Sequence, residues 1–275
     1  MPRHRSSSGL AFLFPAALPG GVISTRPPRS SARPWSTWAR ALVLAAAACG
    51  PATAEQSLSP VKVVATKAMV AEERCAEAPL HVTAATSSER SLVCSAAESA
   101  LQLLGRCDIS PRRPFRAQIT NEIRHPFGDA VFGYFDSKHE RVVIRPLETF
   151  WSLAQGTPFG ELPPHDLYKS IIVHEIVHAV MHQSMNRPAT NEAAYEYPAY
   201  ALQIESLPPD VRSTFLRSLG DRGNGGGFLF NDFILQADPF LFAARAYAHF
   251  KASPDGCARL RSLLEGDVPF ILTAR

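Results

Sequence analysis

An α+β fold follows from three features of the chain. Segments with strand character fall in its first half, apolar runs of helical period fill its second half, and no internal repeat interrupts that order. About 220 residues remain once a basic N-terminal segment is set aside, enough for one domain with a substantial core.

That segment is residues 1–54, which hold six arginines and no acidic residue. Arg33 and Arg40 precede the apolar run Ala41 to Ala48, and Pro51-Ala52-Thr53-Ala54 supplies the small residues of an A-x-A cleavage site. The expectation is an export leader cut after Ala54, a single domain over 55–275, and a periplasmic or secreted protein. The apolar run is too short to span a bilayer. Lipid attachment at Cys49 is disfavoured because Ala46-Ala47-Ala48 lacks the leucine that usually opens such a signal. A transit peptide would share the basic character, but not the compact apolar core followed by A-x-A.

Removing the leader inverts the charge. It takes six of the 28 basic residues and none of the 25 acidic ones, leaving 22 against 25, a net −3. Nothing in the body then points to nucleic acid or an anionic membrane as partner. The body keeps Cys75, Cys94, Cys107 and Cys257, an even number with no C-x-x-C pair. Two disulfides are expected in an oxidising compartment, and the three possible connectivities stay open.

Taken in order, Ser87 caps a helix that carries Leu92, Val93, Ala96, Ala97, Ala100, Leu101, Leu103 and Leu104 and ends at Gly105. Phe115 to Ile123 reads as a strand. Val131 to Asp136 and Arg141 to Arg145 read as a hairpin around the polar Ser137 to Glu140. The exposed edge of that hairpin offers a place for an extended peptide to add a strand. Pro163-Pro164 and Asp166 introduce a central helix that breaks over Ser184 to Pro188. Thr190 caps a second helix running to about Leu207 with Pro198 inside it. Pro208-Pro209 starts another, Gly220 to Gly227 is a glycine-rich connector, and Pro239 to His249 and Ser253 to Leu264 are helical by period.

The chemistry lies in the central helix, where Ile171 to Gln183 reads I-I-V-H-E-I-V-H-A-V-M-H-Q. His174 and His178 stand four apart and project from one helical face, with Glu175 one step round, which is the HExxH arrangement. Zinc favours nitrogen ligands in a tetrahedral shell, and a catalytic site keeps one position for water that a neighbouring carboxylate deprotonates. The surrounding residues are apolar nearly all round, so this helix is expected to be buried, where two histidines and a glutamate are costly unless paired or metal-bound. His182 continues the stripe, but 174 to 182 climbs about 12 Å, too far for three side chains on one ion. His182 is therefore read as supporting or structural.

The third ligand is expected from the following helix, where Glu192 and Glu196 compete. If the helices fold back about residue 187, residue 178 lies opposite 196, residue 174 opposite 200, and Glu192 faces His182. This geometry favours Glu196. A metzincin site would need glycine and histidine at 181 and 184, where the chain has Met181 and Ser184.

His174-Glu175-x-x-His178 followed by a glutamate-bearing helix resembles the gluzincin-type zincin-like metallopeptidases. Glu196-Tyr197-Pro198-Ala199-Tyr200 is similar to a segment of an uncharacterised family of exported bacterial zincin-like proteins. Asn191 to Tyr197 also looks like the N-E-G-x-A-E-Y segment of gluzincin aminopeptidases, which implies Glu192 as ligand, although its separation from His178 is shorter than those enzymes use. The resemblance spans roughly residues 128 to 206. It implies a small, mostly antiparallel sheet whose edge borders a cleft, an active-site helix, and a glutamate helix below the metal.

The combined expectation is a zinc-dependent peptide hydrolase with one Zn2+ per chain. His174, His178 and Glu196 hold the ion, Glu175 is the general base, and Tyr200, one turn beyond Glu196, donates to the developing oxyanion. The partner is a peptide or protein substrate. The different-class alternative is a secreted zinc-binding module without catalysis.

Overall fold

The computed structural model of the chain describes residues 10–13, 72–123, 131–186, 192–220 and 230–266. Five strands between residues 72 and 144 form one sheet: β2 (Glu72–Arg74), β3 (Leu80–Thr83), β4 (Phe115–Ile119), β5 (Val131–Asp136) and β6 (Arg141–Ile144), with β1 (Leu10–Leu13) added at one edge. Eight helices occur among the described residues: α1 (Ser87–Gly105), α2 (Leu147–Ala154), α3 (Pro164–Ser184), α4 (Glu192–Ser206), α5 (Pro209–Ser218), α6 (Asp232–Ala237), α7 (Pro239–Ala252) and α8 (Gly256–Glu265). The α+β class of the sequence reading holds.

The sheet is more mixed than expected. Its order is β1-β5-β6-β4-β3-β2, with β3, β4 and β6 parallel and the outer pairs antiparallel. The parallel centre arises because α1 is a crossover between β3 and β4, a connection that parallel neighbours require. The hairpin edge is also not free: Leu10–Leu13 pairs antiparallel with β5, Leu10 opposite Phe135 and Leu13 opposite Val131, with an irregularity between Ala11 and Leu13. This strand lies inside the expected leader. Cys49, the cleavage site after Ala54, the Thr190 cap and most of the Gly220 to Gly227 connector lie outside the described residues.

Local chemistry accounts for smaller differences. The cap of α1 is Thr86 rather than Ser87, its hydroxyl accepting from the Glu89 amide at 3.2 Å. The strand expected to reach Ile123 stops at Ile119, because the Thr120 hydroxyl takes the Glu122 amide at 3.0 Å and turns the chain. The short helices α2 and α6 were not expected from the sequence; α6 is capped by the Asn231 side chain, which accepts from the Ile234 amide.

Helix α3 is the hub of the core. It packs on α1, α2, α4, β5 and β6, and Ile171, Ile172, Ile176, Val177, Ala179 and Val180 are completely buried. Each buried isoleucine or valine among them contributes about 1.5–3 kcal/mol, which offsets the cost of the polar groups carried by the same helix. Pro164 opens it at a position where the missing N–H is not needed, and Asp166 complements the positive end of its dipole. Its first turn is tied to the sheet by the Tyr168 hydroxyl, which donates to the Arg145 carbonyl at 2.8 Å. Its last turn is tied to the loop after α1: Gln183 Oε1 accepts from the Arg112 and Arg113 amides at 3.0 and 3.2 Å, and the Arg112 guanidinium donates to the Ser184 carbonyl at 3.0 Å.

The four cysteines pair as Cys75–Cys94 and Cys107–Cys257, with Cα separations of 5.5 and 4.8 Å. The first pins α1 to the segment before β3; the second joins the end of α1 to α8 across 150 residues of chain. Loop-closure entropy makes the longer bridge the more stabilising by about 2 kcal/mol. Removing Cys107 and Cys257 together as serines should therefore lower unfolding free energy by about that much more than removing Cys75 and Cys94. Urea titration of the two double variants measures the difference. Equal losses, or native protein that alkylates without reductant, would contradict the pairing.

Candidate metal centre

Two turns of α3 and one residue of α4 build the site. Four-residue spacing puts both imidazoles on one face of α3, and α4 runs back along that face after a short connection. His174, His178 and Glu196 each present one ligand atom, all within 4.8 Å of one another. The two Nε2 atoms are 3.0 Å apart. Glu196 spans them, its oxygens 3.2 Å from His174 Nε2 and 3.3 Å from His178 Nε2. These three side chains are the sole such group among the described residues.

The separations fit a single small cation. Zinc held at about 2.0–2.1 Å by tetrahedral ligands requires ligand atoms about 3.3 Å apart; here the two Nε2 atoms are 3.0 Å apart, and each lies 3.2–3.3 Å from a different one of the two Glu196 oxygens. The chemistry of the donor set agrees, because two imidazole nitrogens and a carboxylate are borderline ligands suited to zinc. Burial explains why a shared cation would be favoured there. His174 is fully buried and Glu196 is only 3 % exposed, so three electron-rich atoms meet where water cannot solvate them.

Electrostatics follow the same geometry. Burial pushes His174 down to about 4, with Glu196 and Gln203 opposing and His178 adding to the shift. Burial would raise Glu196, but the neighbouring His178 and His174 imidazoles overcome it and bring the carboxyl down to about 2. Glu175 goes the other way. Burial and the nearby Glu196 charge raise it well above the usual carboxylate range, and the Phe135 amide only partly compensates. Both Glu175 oxygens are buried without a well-formed hydrogen bond.

The remaining sequence candidates are placed as follows. Tyr200 is buried with its ring edge-on to His174, centroids 4.8 Å apart, and packs on Phe242 at 5.7 Å. Burial, then the Glu196, Glu175 and Glu192 charges, raise its hydroxyl well above the ordinary phenol range, so it stays a donor. Glu192 stands outside the cluster, half-buried and 3.5 Å from the Gln236 amide nitrogen. Burial and Glu196 raise its carboxyl. His182 lies against the Phe135 ring at 5.4 Å and is not part of the cluster.

Two contributors escaped the sequence reading. Gln203 Oε1 meets His174 Nδ1 at 3.1 Å; its position seven residues past Glu196, two helical turns on, was the available signal. Gly133 lies on β5 where a Cβ would come 2.9 Å from the Val143 carbonyl oxygen and 3.5 Å from Glu175 Cγ. The glycine lets β5 approach the Val143 carbonyl of β6 beside the Glu175 stem, and an isolated glycine within a strand is a known sign of such a close backbone approach.

The chain belongs to the family described as Family of unknown function (DUF6639), which it matches over residues 80–273. That span includes every residue of the site and both helices that carry it. No curated protein and no solved structure matches the chain.

The ligand geometry separates the two glutamates. Glu196→Ala should abolish tight zinc binding, whereas Glu192→Ala should weaken it by at most about 10- to 100-fold, the cost of a lost supporting partner. Titration against a chromogenic chelator reads both. The reverse order of damage would show that Glu192 is the ligand.

Proposed function

We propose that this chain is an exported, zinc-dependent peptide hydrolase. The observation that carries the reading is the buried triangle of His174, His178 and Glu196 with a second, poorly bonded carboxyl, Glu175, next to it on the same helix. A site built only to hold an ion has no use for a buried carboxyl that lacks a well-formed hydrogen bond and costs stability. A general base does.

In this reading His174, His178 and Glu196 would hold the ion. Zinc, when bound, supplies Lewis-acid chemistry: it acidifies water and polarises a carbonyl. Glu175, whose proton affinity burial raises, would be drawn back toward its ionised form beside a bound cation. Glu175 then takes the proton of the attacking water on one carboxylate oxygen and returns it to the leaving amine nitrogen. Tyr200, still protonated, would donate to the developing oxyanion.

Two disulfides support an oxidising destination, and no helix among the described residues is long and apolar enough to cross a membrane. The burial of the site favours a second reading. Glu175 is 0 % exposed and Tyr200 2 %, as a zinc-binding module without catalysis would have them, whereas hydrolysis requires a path for substrate to the triangle.

Glu175→Gln separates the readings, because the amide keeps the volume but does not accept the proton. The variant should retain one zinc per chain by elemental analysis while cleavage of a mixed peptide library falls by about 10²- to 10⁴-fold. Wild-type protein with one zinc per chain and no peptide cleavage would establish the binding module instead.

A further inference from the structure

We propose that Gln203 is a positioning residue that, oriented by Ser170, holds His174 in the tautomer whose Nε2 lone pair faces the ion. The inference rests on the metal-site reading and names the device that prepares one ligand for it.

The argument is a chain of hydrogen-bond polarity. The Leu167 carbonyl can only accept, and the Ser170 hydroxyl lies 2.7 Å from it, so the single Ser170 proton is committed there. The Ser170 oxygen is left as an acceptor. Gln203 meets it through Nε2 at 3.4 Å, which turns the amide so that Oε1 faces His174 Nδ1 at 3.1 Å. An amide oxygen cannot donate, so Nδ1 must carry the proton. A neutral imidazole has one N–H, so Nε2, the atom facing His178 and Glu196, is bare.

Helix geometry explains why these residues do it. Ser170 and His174 are one turn apart on α3, and Glu196 and Gln203 two turns apart on α4, so α4 running back along α3 presents Glu196 to the Nε2 side of the ring and Gln203 to the Nδ1 side. Ser170 and Gln203 are 2 % and 0 % exposed. No water competes for the chain of bonds, and a wrong tautomer would place an N–H against the ligand triangle.

The test compares Gln203→Leu, Gln203→Glu, Ser170→Ala and the double variant that combines Ser170→Ala with Gln203→Glu, each checked for native helicity by far-UV circular dichroism. Zinc affinity is measured by competition with a chromogenic chelator, and the imidazole tautomer of the metal-free protein by 15N–1H correlation, with His174 resonances assigned by their loss in His174→Gln. Gln203→Leu should lose about 10- to 100-fold in affinity and Gln203→Glu should restore it. Ser170→Ala should cost about 10-fold or less in the wild-type background and nothing in the Gln203→Glu background, because a carboxylate has no wrong way round. The metal-free wild type should show His174 protonated on Nδ1, and Gln203→Leu should shift it toward Nε2. An Nε2–H wild type, a folded Gln203→Leu that binds zinc as the wild type does, or an equal Ser170→Ala loss in both backgrounds overturns the proposal while leaving the metal site standing. Wild-type protein that binds no zinc overturns the metal reading and the proposal with it.

Discussion

Three electron-rich atoms meeting in a dry core set the terms for the rest of this structure. Two imidazole nitrogens 3.0 Å apart and a carboxylate 3.2–3.3 Å from each are mutually unfavourable unless protons or a cation lie between them. A surface site would solve this with water. Here the residues sit on the most buried helix of the domain, so the cost is met by the apolar remainder of that helix and the electrostatics by whatever occupies the triangle. A cation bound there would couple its affinity to fold stability, because any ligand of the native state adds its binding free energy to folding.

That constraint reaches outward through α4. For one carboxylate to bridge both imidazoles, α4 must return along α3 in a fixed register, and the same register places Gln203 at the far side of the His174 ring and the Tyr200 ring against its edge. A one-turn slip would exchange Glu196 for Glu192 at the triangle and remove the Gln203 contact with it. Packing contributes as well: Ala193, Ala199 and Ala201 are small and fully buried on α4, a helix that packs against both α3 and α7. On the other side of α3, Gly133 lets β5 sit close to the Val143 carbonyl, with the Glu175 stem packed against it.

The fold class, the hub helix and the histidine pair of the cluster were legible in the sequence because each is written in a local period. His174 and His178 stand at helical spacing in a continuous apolar run, and the hairpin strands frame a four-residue polar turn. Glu196 was legible one step less directly, from the arithmetic of a helix hairpin. What escaped was non-local. The parallel centre of the sheet depends on β6 returning beside β4, which no period within either strand encodes. The pairing of Leu10–Leu13 with β5 joins residues about 120 positions apart. Gln203 was not picked out despite its two-turn spacing from Glu196, because glutamine in a helix is ordinary and the Ser170 hydroxyl across the helix interface gives it its direction.

Precision in such a site requires that the hub helix not shift along its axis, and both of its ends are fixed by bonds from outside the metal shell. The Tyr168 hydroxyl binds the Arg145 carbonyl, and Arg145, itself buried, reaches the Val131 carbonyl at 2.8 Å, so the first turn of α3 is referenced to the start of β5. At the other end Gln183 holds the 112–113 backbone, the Asn186 amide donates to the Leu264 carbonyl of α8 at 3.1 Å, and Cys107–Cys257 joins the loop after α1 to the start of α8. These contacts form a closed circuit: α3 to the loop after α1, that loop through the disulfide to α8, and α8 back to the end of α3. A zinc–ligand bond tolerates errors of about 0.2 Å, far less than the play of a helix held by greasy packing alone. The disulfide therefore belongs to the site as much as to the fold, since it fixes the frame in which two side chains on α3 and one on α4 must converge.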